Sequence, residues 1–272
     1  MSVLRQYVSV GETQVHLRTI GSAAGVPVLL LHQVPSSGAM FEAIMRPLAD
    51  AGYRAIAVDL PGYGMSDPIG DLPSLQDYAE LVAGVLDALG IASAHVIGHH
   101  TGAGVGLALA RDRPDRVGAL ALWGVPLIEG DLSHELATEA APNFTEDYAA
   151  AMAASWTTWW ALCDPTTAAH VVPRNQAEIL LSGSHRPDGH RAVGREDTVA
   201  LVRAVAHPVL AMCGSREMLH DETVASIAVF PNATLADVRD LGIDAFDVAP
   251  DELTALMHDF FAHHPAVATV TH

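Results

Sequence analysis

Short runs of apolar, mostly β-branched residues alternate along the chain with longer stretches in which apolar positions recur at helical spacing. Residues 7–10 and 15–19 read as a hairpin around Gly11-Glu12. Residues 27–31, 55–59, 94–97, 119–123 and 209–213 are nearly continuous apolar runs, the pattern of strands buried on both faces. The run at 94–97 passes almost directly into an apolar helix at 102–111, and a last helix is predicted at 252–261. Strands of this kind separated by helices predict an α/β protein with a mostly parallel central sheet flanked by helices.

One segment breaks the alternation. Between residues 125 and 197 the pattern is that of several helices with polar links, including Trp156, Trp159 and Trp160 and a Gly/His/Arg-rich stretch at 182–195. Inserted after the strand that follows the central helix, it reads as a helical cap over the C-terminal edge of the sheet. The predicted organisation is a core of residues 1–124 and 198–272 with a cap of residues 125–197. The Trp spacing puts all three indoles on one helical face, suited to lining a pocket or to packing the cap itself. The tail after Pro265 is predicted to fray.

Composition narrows the function. Half of the 272 residues are apolar, enough for a full core, and the formal net charge is −18. All 14 basic residues are Arg. Such an acidic surface argues against nucleic acid or an anionic membrane as a partner. Cys163 and Cys213 lie far apart among apolar neighbours and read as core residues. With no signal pattern in residues 1–10 and no apolar run long enough to span a bilayer, the expected location is cytoplasmic. A homodimer is compatible with this reading.

Three motifs follow predicted strands: Leu30-Leu31-His32-Gln33-Val34-Pro35, Asp59-Leu60-Pro61-Gly62-Tyr63-Gly64-Met65-Ser66-Asp67, and Ile97-Gly98-His99-His100-Thr101-Gly102. Together they resemble the α/β-hydrolase superfamily, with its His-Gly-x-Pro oxyanion loop, its D-x-P-G-x-G-x-S segment and its G-x-S-x-G nucleophile elbow. The resemblance implies the α/β-hydrolase fold over nearly the whole chain. It also exposes departures. The elbow carries His100 where the family has Ser, and Gln33 replaces the Gly of the oxyanion loop. Aligned on Ala249-Pro250, the triad His has become Ile243. Gly214-Ser215-Arg216-Glu217 resembles the family's G-x-x-D, which places Glu217 at the acid position.

A Ser-His-Asp mechanism needs a hydroxyl and an imidazole to deprotonate it, and both are missing at the expected places. The replacements share a direction, however: His is longer than Ser and Glu longer than Asp. His100 is therefore expected to reach Glu217 directly, with His99 beside it, in an acid–base site. By resemblance, Val34 and Thr101 N–H would form the oxyanion hole, and the pocket would be lined by His32, Gln33, Trp156, Trp159, Trp160 and Ile243. A metal is not expected, because adjacent His99 and His100 should project in different directions and His32 packs structurally in the family. No cofactor is predicted.

The function expected is acid–base chemistry on a small, largely apolar carbonyl compound: elimination, cyclisation, isomerisation, or hydrolysis by activated water. The alternative is a catalytically inactive fold that binds a small molecule. A binder would keep its affinity on loss of His100, whereas an enzyme would lose turnover.

Overall fold

The computed structural model describes residues 1–145 and 147–264; the segment expected to fray beyond Pro265 lies outside the described residues. A hairpin, β1 (Leu4–Val10) and β2 (Thr13–Ile20), opens the chain. Then β3 (Val26–Leu31), α1 (Glu42–Asp50), β4 (Tyr53–Val58), α2 (Leu75–Ala88), β5 (Ala94–His99), α3 (Thr101–Asp112) and β6 (Val117–Trp123) follow in alternation. The strand order is β1-β2-β4-β3-β5-β6-β7-β8, with β7 at Val209–Cys213 and β8 at Ala233–Asp237. β2 pairs antiparallel with both β1 and β4, and every later pairing is parallel.

The period-2 geometry of a strand explains why the central strands read as unbroken apolar runs. Leu29, Leu31, Val58, Val96 and Leu122 face one cluster, which α2 and α3 cover. Val28, Leu30, Ala57, Ile97, Ala121 and Trp123 face a second cluster, closed by α1 and by the last helix, Pro250–His263. α2 starts at a reciprocal cap in which Ser74 Oγ accepts from Asp77 N–H while the Asp77 carboxylate accepts from Ser74 N–H. β8 lies outside the strands predicted from sequence. It is a half-exposed edge strand and lacks the apolar density of its neighbours.

The long segment between β6 and β7 holds α4 (Gly130–Ala137), α5 (Tyr148–Leu162), α6 (Ala168–Ser182) and α7 (Asp188–Arg195), then α8 (Thr198–Ala204). α4 packs on α7, and α5 on α6. The Asp59 motif is a structural knot. Its fully buried carboxylate accepts Gly38 and Met65 N–H and is paired with Arg18 and His16. Burial alone would raise its pKa, but the His16 hydrogen bond and the Arg18 charge hold it below the usual carboxylate value.

Candidate active site

The elbow between β5 and α3 forces one residue out of the sheet edge. His100 has φ 47° and ψ −111°, a strained conformation for a residue with a side chain. Close packing enforces it: Gly102 lies against the Leu31 carbonyl, where a Cβ would not fit. Thr101 heads α3, so its N–H has no carbonyl a turn earlier to bond and sits at the positive end of the helix dipole.

From this position His100 reaches Glu217, on the turn after β7. Its Nε2 lies 2.5 Å from Glu217 Oε1. The same oxygen accepts Leu219 N–H at 3.1 Å, and the second carboxylate oxygen accepts the indole Nε1–H of Trp123 at 2.6 Å. Glu217 is only 5% exposed. Burial pushes its pKa up, but the charge and hydrogen bond of His100, helped by His99 and Leu219 N–H, outweigh burial and hold it far below the usual carboxylate range. An ionised Glu217 accepts only, so Nε2 of His100 must donate. The basic lone pair of neutral His100 is then on Nδ1, the reverse of the imidazole's orientation in a serine triad.

Two residues that sequence reading missed complete this arrangement. Trp123 anchors the carboxylate. Gly124, with φ 66°, leaves room for the ring: a Cβ there would stand 2.6 Å from His100 Nε2 and 3.4 Å from Glu217 Oε1. A glycine directly after the strand that neighbours the elbow is the signal that could have marked it.

The remaining predicted residues divide. His99 is fully buried, its Nε2 lies 4.0 Å from Glu217 Oε2, and neither ring nitrogen has a hydrogen-bond partner among the described residues. Burial drives its pKa well below the ordinary value, which favours the neutral ring, and it is not among the residues that line the cavity at His100. His32, expected in the pocket, is instead fully buried between the Gln33 carbonyl at 2.6 Å and Leu60 N–H, which donates to its Nε2 at 2.8 Å. Its pKa is pushed down to about 4 by burial.

Gln33, Trp159 and Ile243 do come together, but around a separate cavity of about 10 Å³ next to Asp244 and Arg174. Ile243 is absorbed into an apolar cluster with Cys163, Ala168, Val171 and Val172. Trp159 packs against that cluster. Trp156 and Trp160 do not line either cavity; they are 41% and 48% exposed and stack on each other with ring centroids 6.4 Å apart. The reason is angular. Positions 159 and 160 are about 100° apart on a helix, wider than the contact α5 makes, so only one indole turns inward.

His100 and Thr101 instead open onto a cavity of about 280 Å³. Its walls are Pro126 and Ile128 after β6, Leu132 and Leu136 of α4, His190 and Val193 of α7, and Met218, Leu219 and Glu222 beside Glu217. α7 is seated directly on the elbow: a Cβ on Gly189 would lie 2.8 Å from one Val34 methyl and 3.1 Å from the Thr101 methyl. Gly189 N–H also donates to the Tyr63 hydroxyl at 2.8 Å. His190, unpredicted from sequence, is the next residue, and its Nδ1 lies 2.6 Å from Glu139 Oε2.

Donor atoms of His99, His100 and Glu217 lie within 4.8 Å of one another, and this is a set that a transition metal could use. The carboxylate, however, already accepts from His100 Nε2–H, Trp123 Nε1–H and Leu219 N–H. Among the described residues no helix is long and apolar enough to cross a membrane.

The sequence pattern of the alpha/beta hydrolase fold family matches residues 26–188. A 2-hydroxy-6-oxononadienedioate/2-hydroxy-6-oxononatrienedioate hydrolase from Burkholderia vietnamiensis is 41% identical over 116 residues, covering 42% of this chain and 40% of the relative. The chain thus matches about two fifths of the length of such curated relatives. Among solved structures, the enol-lactonase from Burkholderia xenovorans LB400 superposes with a TM-score of 0.80 at 20% identity, over 94% of this chain and 100% of that one. An esterase from Rhodococcus sp. ECU1013 superposes with a TM-score of 0.78 at 26% identity, over 97% and 100%.

Proposed function

This chain belongs to the α/β-hydrolase fold family, and on that premise we propose that it is an enzyme acting on a small, largely apolar carbonyl compound through a His100–Glu217 acid–base pair, without a serine nucleophile. The observation that carries this reading is the 2.5 Å contact between His100 and an ionised Glu217 at the floor of an apolar cavity of about 280 Å³. Nδ1 of His100 accepts a proton. The N–H groups of Val34 and Thr101 take the developing oxyanion, helped by the N-terminus of α3. α4 and α7 act as the cap that keeps water from flooding the site.

Proton abstraction beside a carbonyl would lead to elimination, isomerisation or cyclisation. Hydrolysis is favoured among these routes because the partial relatives are named hydrolases. In that route His100 deprotonates a water, which attacks the carbonyl carbon, and no acyl-enzyme forms. Among the described residues, the cavity walls carry Glu222 and no Arg. That charge pattern suits an uncharged substrate better than a dicarboxylate of the kind named for the relatives.

The test is a panel of enol lactones, aryl lactones and β-diketones incubated in ¹⁸O-labelled water and followed by mass spectrometry. The expected result is label in the product acid, no covalent adduct on the intact protein, and at least about a hundredfold loss of turnover in His100→Gln. An acyl-enzyme, or unchanged turnover in that variant, overturns the reading.

A further inference from the structure

The cavity has a second imidazole–carboxylate pair on the wall contributed by α7. His190 Nδ1 lies 2.6 Å from Glu139 Oε2. The Glu139 segment is itself clamped, with Arg191 Nε–H donating to the Glu139 carbonyl at 2.7 Å and the Arg186 guanidinium 3.6 Å from its carboxylate. Burial pushes the Glu139 pKa up, but the His190 hydrogen bond and the His190, Arg186 and Arg191 charges bring it below the usual value. An ionised Glu139 only accepts, so Nδ1–H of His190 donates to it whether the ring is neutral or an imidazolium. Nε2 of His190 has no hydrogen-bond partner among the described residues, and His190 lines the cavity that His100 and Thr101 line. The placement is built rather than incidental, because the preceding Gly189 is the point at which α7 rests on Val34 and Thr101.

We propose that His190, oriented by Glu139, is a second proton-transfer residue of this site: the acid that protonates the departing group while His100 serves as the base. This rests on the hydrolytic reading above. His100 Nδ1 takes a proton from water, and the hydroxyl oxygen bonds to the carbonyl carbon. His190 enters this step as the imidazolium, protonated on both nitrogens. When the tetrahedral oxyanion collapses, the bond to the leaving group breaks with its electron pair, and Nε2–H of that imidazolium delivers a proton to the departing atom, leaving neutral His190 with its proton on Nδ1. One imidazole ends with an extra proton and the other with one fewer. Because the His190 side chain is 29% exposed, exchange with solvent resets the pair.

The experiment is a leaving-group series of aryl acetates, from pentafluorophenyl to unsubstituted phenyl, assayed with wild type, His190→Gln and Glu139→Gln. A good leaving group needs no acid and a poor one does. The expected result is that His190→Gln lowers the rate on phenyl acetate about a hundredfold, leaves pentafluorophenyl acetate nearly unchanged, and removes the alkaline limb of the pH profile. Glu139→Gln, a milder change that keeps the ring in place, should reproduce the same selectivity in smaller degree. Equal losses across the series, with the alkaline limb intact, would mean that His190 only shapes the cavity, and would overturn this proposal while leaving the hydrolytic reading standing. Wild type inert on every ester would overturn the hydrolytic reading and this proposal with it.

Discussion

Gly124 and the His100 imidazole occupy adjoining space so closely that a single methyl would separate His100 from its partner: a Cβ on Gly124 would overlap ring atoms Cδ2 and Nε2. Trp123, one residue earlier, holds the other side of the same carboxylate. The end of β6 therefore sets both halves of the pair, although neither of its two residues carries a titrating group.

Gly124→Ala should consequently abolish turnover to about the extent that His100→Gln does, at least a hundredfold. Alanine at φ 66° adds a modest stability cost of about 1 kcal/mol. The discriminating measurement is a double-mutant cycle. In a His100→Ala background, with no ring to displace, Gly124→Ala should cost little further activity. Additive losses would show that Gly124 acts on something other than His100.

Much of the architecture was legible because the central strands are buried on both faces and so read as unbroken apolar runs, as at residues 27–31 and 119–123. The proximity of His100 and Glu217 was expected because the resemblance put them at the elbow and acid positions and both side chains are longer than those they replace. Ile243, expected beside the pocket, instead pins α6 to the core. The sequence showed that an imidazole was gone but not which surface would claim the isoleucine. The Trp spacing misled, since a stripe spanning about 100° can be half inside and half outside. His190 was invisible for a different reason. Its partner Glu139 lies 51 residues away across the fold of α4 onto α7, and no local motif links them.

The loss of the serine and of the triad imidazole predicts that fluorophosphonates will not label the protein, measured by gel fluorescence or intact mass. Stoichiometric phosphonylation of any residue in the cavity would contradict the site described. For the same reason His100→Ser alone should not create an esterase, because the hydroxyl would have no base.

Adding the base back should fail as well. In a His100→Ser/Ile243→His variant, the new imidazole would replace an apolar side chain packed among Cys163, Ala168, Val171 and Val172. Burying a polar ring there without a partner should cost roughly 1–3 kcal/mol. The measurable outcome is a lowered denaturation midpoint with no ester hydrolysis. Recovered hydrolysis at wild-type stability would mean that α5 and α6 yield readily and that Ile243 is not the anchor proposed.

Buried imidazoles also predict how stability depends on pH. His32 and His95 each have a pKa pushed down to about 4 by burial, and that of His99 is driven well below its ordinary value. In the unfolded chain each regains a value near 6.5. Between about pH 6.5 and 4 the unfolded state therefore binds more protons than the folded state, and stability must fall as pH falls through that window. Each such group contributes a slope of up to about 1.4 kcal/mol per pH unit. His95 is the group to remove, because it stacks on Phe261 with centroids 4.3 Å apart and accepts Ala119 N–H, away from the cavity. His95→Gln should lower stability at pH 7 through lost packing, yet make it fall less steeply from pH 6.5 to 4. Urea midpoints measured at half-unit pH steps would show the two curves converging toward acid. Parallel curves would mean that His95 is protonated in the folded protein after all.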